Sequence, residues 1–155
     1  MSMIGQLIQL GLNLTGKKVN CVYGFKIGGV EQYKRQVVVT LTEDETGGGI
    51  LSWANPEGET ILITSLIINL TTASTGAGTA DFGVAAAATT LSDTLMDGID
   101  TNAAVGVFDI VEDEGTNGVG AQLMTSGQFL TGSAKTGDAA GLAGKAFIEY
   151  TKIPS

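Results

Sequence analysis

The sequence predicts an all-β protein, an antiparallel β-sandwich of jelly-roll type with an extended N-terminal arm. Short segments rich in β-branched and aliphatic residues recur along the 155-residue chain, with clusters of Gly, Asn, Asp and Pro between them. Almost no segment keeps helical spacing. Short strands joined by some long connections favour a jelly roll over an up-and-down barrel.

The first elements of the chain lie before residue 42. Residues 3–14 fit both helical spacing and strand alternation, and their two glycines weaken the helix, so we expect an extended arm or a short helix that packs on a partner. A strand is predicted at 19–25, and the segment 27–30, with its two central glycines, breaks it. A β-branched strand follows at 36–41.

The middle of the chain has the strongest strand signals. A short strand at 50–53 is stopped by the turn sequence Asn-Pro-Glu-Gly at 55–58. The longest strand is predicted at 60–71, and its apolar run indicates burial on both sides or a bend between two sheets. Apolar residues alternate with small or polar ones at 79–86, as in a half-buried strand.

Three further strands are predicted at 105–111, 128–131 and 142–151. The longest connection is 87–104. Within it, Ser92 and Asp93 precede a short apolar stretch, and we expect them to cap one helical turn.

The charge changes sign along the chain. Residues 1–35 hold five basic residues and one acidic residue, a net +4, whereas residues 36–155 hold three basic and fifteen acidic residues, a net −12. A basic, Gly-punctuated segment on an acidic body is typical of a part that docks onto something. We therefore divide the chain into an N-terminal arm, 1–35, and a β-sandwich body, 36–155.

The composition argues against an enzyme. The chain has no His, which removes the commonest general base and the Ser-His and Cys-His nucleophile pairs. Acid pairs remain, Asp97 with Asp100 and Asp109 with Asp113, but Asp in loops of this composition is favoured for making turns. The single cysteine, Cys21, allows no intrachain disulfide.

One acidic stretch resembles a cation site in its residue types. Asp93, Asp97, Asp100 and Asn102 offer oxygen ligands of the kind that Ca²⁺ prefers. Their spacing does not match an EF-hand loop, and capping of turns explains the acids better. We expect no metal and no cofactor, and calcium binding by the loop 93–102 stays open.

Nucleic acid and membranes are not expected partners. The glycine clusters at 28–29 and 47–49 lack the strand, helix and Lys-Ser/Thr ending of a phosphate loop, and a net charge of −8 repels a polyanion. The apolar segment 3–14 is too short to cross a bilayer and lacks the features of a signal peptide. Trp53 is expected in or beside the core.

From residue 53 onward, about 100 residues resemble the head decoration, or cement, proteins of tailed bacteriophages and prophages. The likeness lies in WANPEG (53–58), the apolar strand 61–70, TTASTGAGTADFGV (71–84), DTLMDGID (93–100), DIVEDEGTNG (109–118), GQFLTGS (127–133) and 141–150. The resemblance implies a protein on the outside of an icosahedral shell, often a trimer at three-fold positions.

We therefore expect a virion structural protein that is made in the host cytoplasm, binds the phage major capsid protein on the outer surface of the capsid, and forms a homotrimer. The residues expected to contact the capsid lie in the arm: Ile4, Leu7, Ile8, Leu10, Lys17, Lys18, Lys34 and Arg35. The apolar ones would supply contact area and the basic ones orientation.

Two alternatives stay open. A carbohydrate-binding β-sandwich of a phage tail or fibre would expose Tyr23, Tyr33 or Trp53 along a groove. A tail-tube or head-completion protein would assemble into a ring.

Overall fold

The computed structural model describes residues 24–27, 30–42, 49–102 and 105–153, with the backbone alone at 24–27 and 30–33. These residues form strands, turns and irregular loops, and no helix is present among them. The strands are β1 (Gly24–Ile27), β2 (Val30–Leu41), β3 (Leu51–Ala54), β4 (Ile61–Thr72), β5 (Thr79–Ala85), β6 (Met96–Asp100), β7 (Gly106–Asp109), β8 (Gln122–Met124), β9 (Phe129–Thr136) and β10 (Ala143–Lys152). The predicted all-β class is confirmed.

The strands form two antiparallel sheets that face each other across one core. The larger sheet has six strands in the order β1-β2-β10-β4-β7, with β8 also paired to β4, and the smaller sheet has the order β3-β9-β5-β6. The prediction of an antiparallel β-sandwich is therefore confirmed.

The pairing between strands is nested. Strand β5 pairs with β6, β4 with β7 and β8, β3 with β9, and β2 with β10. This is the pattern of one long hairpin whose tip lies between β5 and β6. The further pairs β4·β10 and β5·β9 join the folded-over layers of that hairpin within each sheet.

Strand β4 places one face of its apolar run in the core. A register shift opposite Glu149 and Tyr150 marks a bulge in this strand, so Ile63 and Leu66 are both fully buried although they are three residues apart. Leu62 and Ile67 lie on the opposite face and are only half-buried. The prediction of burial on both sides or a bend between sheets was wrong, because the bulge resets the alternation.

The core is built from the inner faces of both sheets, and its largest fully buried side chains come from seven parts of the chain. They are Ile50, Leu51, Ile61, Ile63, Leu66, Ile68, Phe82, Leu95, Met96, Ile110, Met124 and Leu130. Trp53 is half-buried and packs against this core, as predicted.

Two short strands fall where the sequence predicts none. Strand β6 lies within the connection 87–104, and β8 precedes β9. The predicted helical cap was wrong: the Ser92 hydroxyl donates to the Val84 carbonyl oxygen at 2.9 Å and Thr94 Oγ1 accepts from the Val84 amide at 3.1 Å. These bonds hold the segment against β5 as a loop.

The charge boundary after Arg35 falls inside strand β2, which runs without interruption from Val30 to Leu41. Residues 34–41 pair with β10, and residues 30–33 pair with β1. The division into arm and body stays a prediction, since residues 1–23 lie outside the described part of the chain.

Candidate interaction surface

No strand or loop of the described chain covers most of the outer face of the larger sheet. Alternation sets this face: Val37 and Val39 pack against the core, so Val38 between them points outward and is 49% exposed. The same logic applies to Phe147, which lies between the buried Ala146 and Ile148.

Strand register aligns these outward residues in rows across the sheet. We define the docking face by three of these rows: Val38, Phe147 and Ile67; Thr40, Lys145, Asn69 and Val107; and Lys34, Thr151, Leu62 and Leu123. Val107 is 65% exposed and Leu123 is 56% exposed. The first row is apolar on three neighbouring strands and ends in Asp109 on β7.

The charges on and beside the docking face are few. Lys34 Nζ forms an ion pair with Glu149, whose strand neighbour Phe147 lies on the apolar row. Asp109 Oδ1 accepts from the amides of Val111 at 2.7 Å and Glu112 at 3.1 Å, so this carboxylate is used in a turn. Lys145 is exposed and has no ion pair with any described residue.

The smaller sheet differs, because a loop covers part of its outer face. Thr131, although it points away from the core, is 1% exposed. Its hydroxyl lies 2.9 Å from the Thr90 carbonyl oxygen and 3.3 Å from that of Gly83. Hydrogen bonds therefore hold the segment between β5 and β6 over this part of the face.

Two of the predicted capsid-contacting residues lie in the described chain, on β2. Lys34 pairs with Glu149, and Arg35 pairs with Glu57 through its Nη1 atom. Their side chains stay 60% and 46% exposed, respectively. Ile4, Leu7, Ile8, Leu10, Lys17 and Lys18 lie outside the described residues, as does Cys21, and their role stays a prediction.

Arg35 belongs to a cluster that joins both sheets at one edge of the sandwich. Glu57, in the predicted Asn-Pro-Glu-Gly turn, accepts from Arg35 and, at 3.0 Å, from the Tyr150 hydroxyl. The ring centroids of Tyr150 and Trp53 lie 5.4 Å apart. Burial, reinforced by the neighbouring Glu57 carboxylate, raises the pKa of Tyr150. Trp53 is thus a packing residue of the core edge.

A second polar cluster lies on the smaller sheet. Carboxylate oxygens of Asp81, Asp93 and Asp97 all lie within 4.8 Å of one another. Lys135 Nζ contacts Asp97 and lies 3.7 Å from Asp81. Asn117 Nδ2 donates to both Asp93 and Asp97 at 2.9 Å. The lysine ammonium therefore offsets part of the negative charge of two of the three acids.

The pKa values in this cluster move in opposite directions. The hydrogen bond from Lys135 lowers the pKa of Asp97 and raises that of the lysine. Burial raises the pKa of Asp81, although the Gly98 amide donates to its carboxylate at 2.7 Å. These groups satisfy one another, and nothing else in the cluster indicates a metal ion.

The structure separates one of the two predicted acid pairs. Asp97 meets Asp93, whereas Asp100 accepts from the Asn102 amide at 2.9 Å in a turn of its own. The other pair stays together, because Asp113 accepts from the Asp109 amide at 2.8 Å within one turn. Sequence reasoning missed Asp81 and Lys135, because only the strand order β9-β5-β6 brings them beside Asp97.

No helix among the described residues is long and apolar enough to cross a membrane. Comparison of the chain with protein-family models, with curated proteins and with solved structures found no match in any of the three.

Proposed function

We propose that this chain is a virion structural protein, a capsid decoration or cement protein that binds the assembled shell of the phage major capsid protein and stabilises it. The observation that carries the proposal is the docking face, an open sheet surface with six apolar side chains among its eleven defining residues. Three of the six, Val38, Val107 and Leu123, are 49–65% exposed. Contiguous exposed apolar surface of this kind is typical of interaction sites.

The fold proposed for the body is a jelly roll. Its support is the nested pairing of the strands, because a jelly roll is one long antiparallel hairpin wound into two sheets. The fold by itself does not specify a function, and the docking face is what supports binding to a partner.

The proposed mechanism is linkage between binding and shell stability. A protein that binds the assembled lattice and not the free capsid subunit adds its binding free energy to the assembled state, at every site that it occupies. At a concentration 100 times the dissociation constant this amounts to about 2.7 kcal/mol per site. Many copies on one shell make even weak single sites effective.

The proposed assembly is a homotrimer on the outer surface of the capsid. Closed symmetry removes the open-ended pairing to which sheet edges such as β7 are prone, and a trimer fits three-fold positions of a shell. The carbohydrate-binding alternative loses one of its three aromatic candidates, since Trp53 packs against the core. The tail-tube or head-completion alternative would show as a ring-shaped oligomer.

The test uses bare shells of the phage or prophage that encodes the chain. We expect the purified protein to cosediment with intact shells in hundreds of copies and not with free capsid subunits. It should also raise the temperature at which the shells rupture. Failure to bind intact shells, or equal binding to free subunits, would exclude the decoration function.

A further inference from the structure

We infer that the docking face receives a protein surface that offers a carboxylate set among apolar side chains, and that Lys145 is the residue that pairs with this carboxylate. The inference deepens the proposed function and rests on it, because it takes the capsid shell to be that surface. The outer face of the larger sheet is thus the side of the body that contacts the shell.

The register of the strands determines the position of Lys145. Register places it on β10 between Thr40 of β2 and Asn69 of β4, in the row at one end of the docking face and directly beside the apolar row. The neighbouring row is apolar at Val38, Phe147 and Ile67. Its one charge, Asp109 on β7, is held in a turn. A partner that covers the apolar row therefore also covers the lysine.

The positive charge of Lys145 has no ion-pair partner within the described chain. The other basic side chains described are all paired: Lys34 with Glu149, Arg35 with Glu57, Lys135 with Asp97 and Asp81, and Lys152 with Glu59. Burying an unpaired ammonium is costly, so a partner that covers it must supply a negative group.

An acidic partner fits the docking face better than it fits other parts of the body. The smaller sheet presents the Asp81, Asp93 and Asp97 cluster. The exposed turn after β7 presents Glu112 and Glu114. Like charges across an interface are unfavourable, so a carboxylate-bearing surface is repelled elsewhere and oriented toward Lys145.

The size of the docking face also fits a partial interface. Four strands spaced about 4.8 Å apart, with outward rows over about seven residues, give roughly 400–500 Å². This is about half of what one partner buries in a standard-size complex. The remaining area would come from other parts of the chain, such as the arm. The face is thus large enough to orient the protein and too small to act alone.

The test compares binding of full-length variants to the same bare shells by cosedimentation. Lys145→Ala should weaken binding at least tenfold and Lys145→Arg should retain it, while Phe147→Asp, a charge placed in the apolar row, should abolish it. Leu91→Asp is the matched control, because Leu91 is 59% exposed in the loop over the other sheet and the substitution changes the net charge by the same amount as Lys145→Ala.

The outcomes separate this inference from the proposed function. If the wild type binds shells and all three face variants bind equally well, the function stands and the docking face is wrong. If the wild type does not bind, both fall together. If Phe147→Asp instead dissociates an oligomer in solution while shell binding persists, the face receives a second copy of this chain, and the assignment to the shell is overturned.

Discussion

The Tyr150 hydroxyl donates a hydrogen bond of 3.0 Å to Glu57, and this contact ties the last strand of the larger sheet to the turn between β3 and β4. Arg35 of β2 reaches the same carboxylate. Asn55 holds the turn: its Oδ1 accepts from the Glu57 amide and its Nδ2 donates to the Glu59 carbonyl oxygen, both at 2.9 Å. One short turn therefore joins both sheets at an edge of the sandwich.

Removing the Glu57 carboxylate should destabilise the fold. In Glu57→Ala the hydroxyl of Tyr150, a residue that is 6% exposed, loses its acceptor, and we expect a loss of about 1–3 kcal/mol in the free energy of unfolding. Tyr150→Phe, which leaves the Arg35 pair intact, should cost about 1 kcal/mol. Urea unfolding measures both, with the exposed Glu112→Ala as control. Equal stability of Glu57→Ala and the control would show that the cluster contributes nothing.

Gly132 makes a tight contact in the core. A Cβ atom at this position would lie 2.3 Å from the ring of Phe82, which is itself 1% exposed. Gly132→Ala should therefore force the ring aside and cost about 1–3 kcal/mol, the range for an overpacked core. Gly120→Ala is the control, because nothing lies within 4 Å of the atom added there. Thermal unfolding of both variants measures the difference, and an unchanged Gly132→Ala would contradict this packing.

The Asp97 site predicts a particular dependence of stability on pH. Because the folded protein lowers the pKa of Asp97, its stabilising contribution is present above the usual value of 3.8 and is lost as the pH falls through the folded pKa. Asp81 acts in the opposite sense: its pKa is raised, so its contribution is present below 3.8 and is lost as the pH rises through the folded value.

Substitution separates these two effects. Asp97→Asn should flatten the acidic fall in melting temperature between about pH 5 and pH 2, whereas Asp81→Asn should steepen it, since the opposing term is removed. Melting curves across that pH range measure both. If the melting temperature of Asp97→Asn falls with pH as steeply as that of the wild type, this carboxylate does not govern stability in acid.

Deleting residues 1–23 tests the arm apart from the body. Every described strand remains in this truncated chain, so we expect a cooperative, β-rich unfolding transition at a stability close to that of the full chain. Binding to bare shells should fall strongly, because the apolar residues of the arm and its first two lysines, Lys17 and Lys18, are gone. Circular dichroism and cosedimentation give the two readouts. Unchanged affinity would limit docking to the body.

The sequence predicted the apolar strands well, since a run such as that of β4 needs no tertiary information to be recognised. It missed β6, which contains a glycine and two aspartates in five residues and is a strand because of its pairing with β5. The acidic cluster and the docking face could not be predicted from the sequence either. Both depend on register, which brings Asp81 toward Lys135 and places Lys145 beside Thr40.

The position of β10 has a consequence for how the chain folds as it is made. This strand lies between β2 and β4, so the larger sheet has a gap at its centre until β10 is available. Partners more than 100 residues apart must meet, which makes folding slow and leaves the apolar edges of β2 and β4 open meanwhile. On a ribosome the body closes only after Lys152 has emerged, and before that moment the nascent chain is the form most exposed to aggregation.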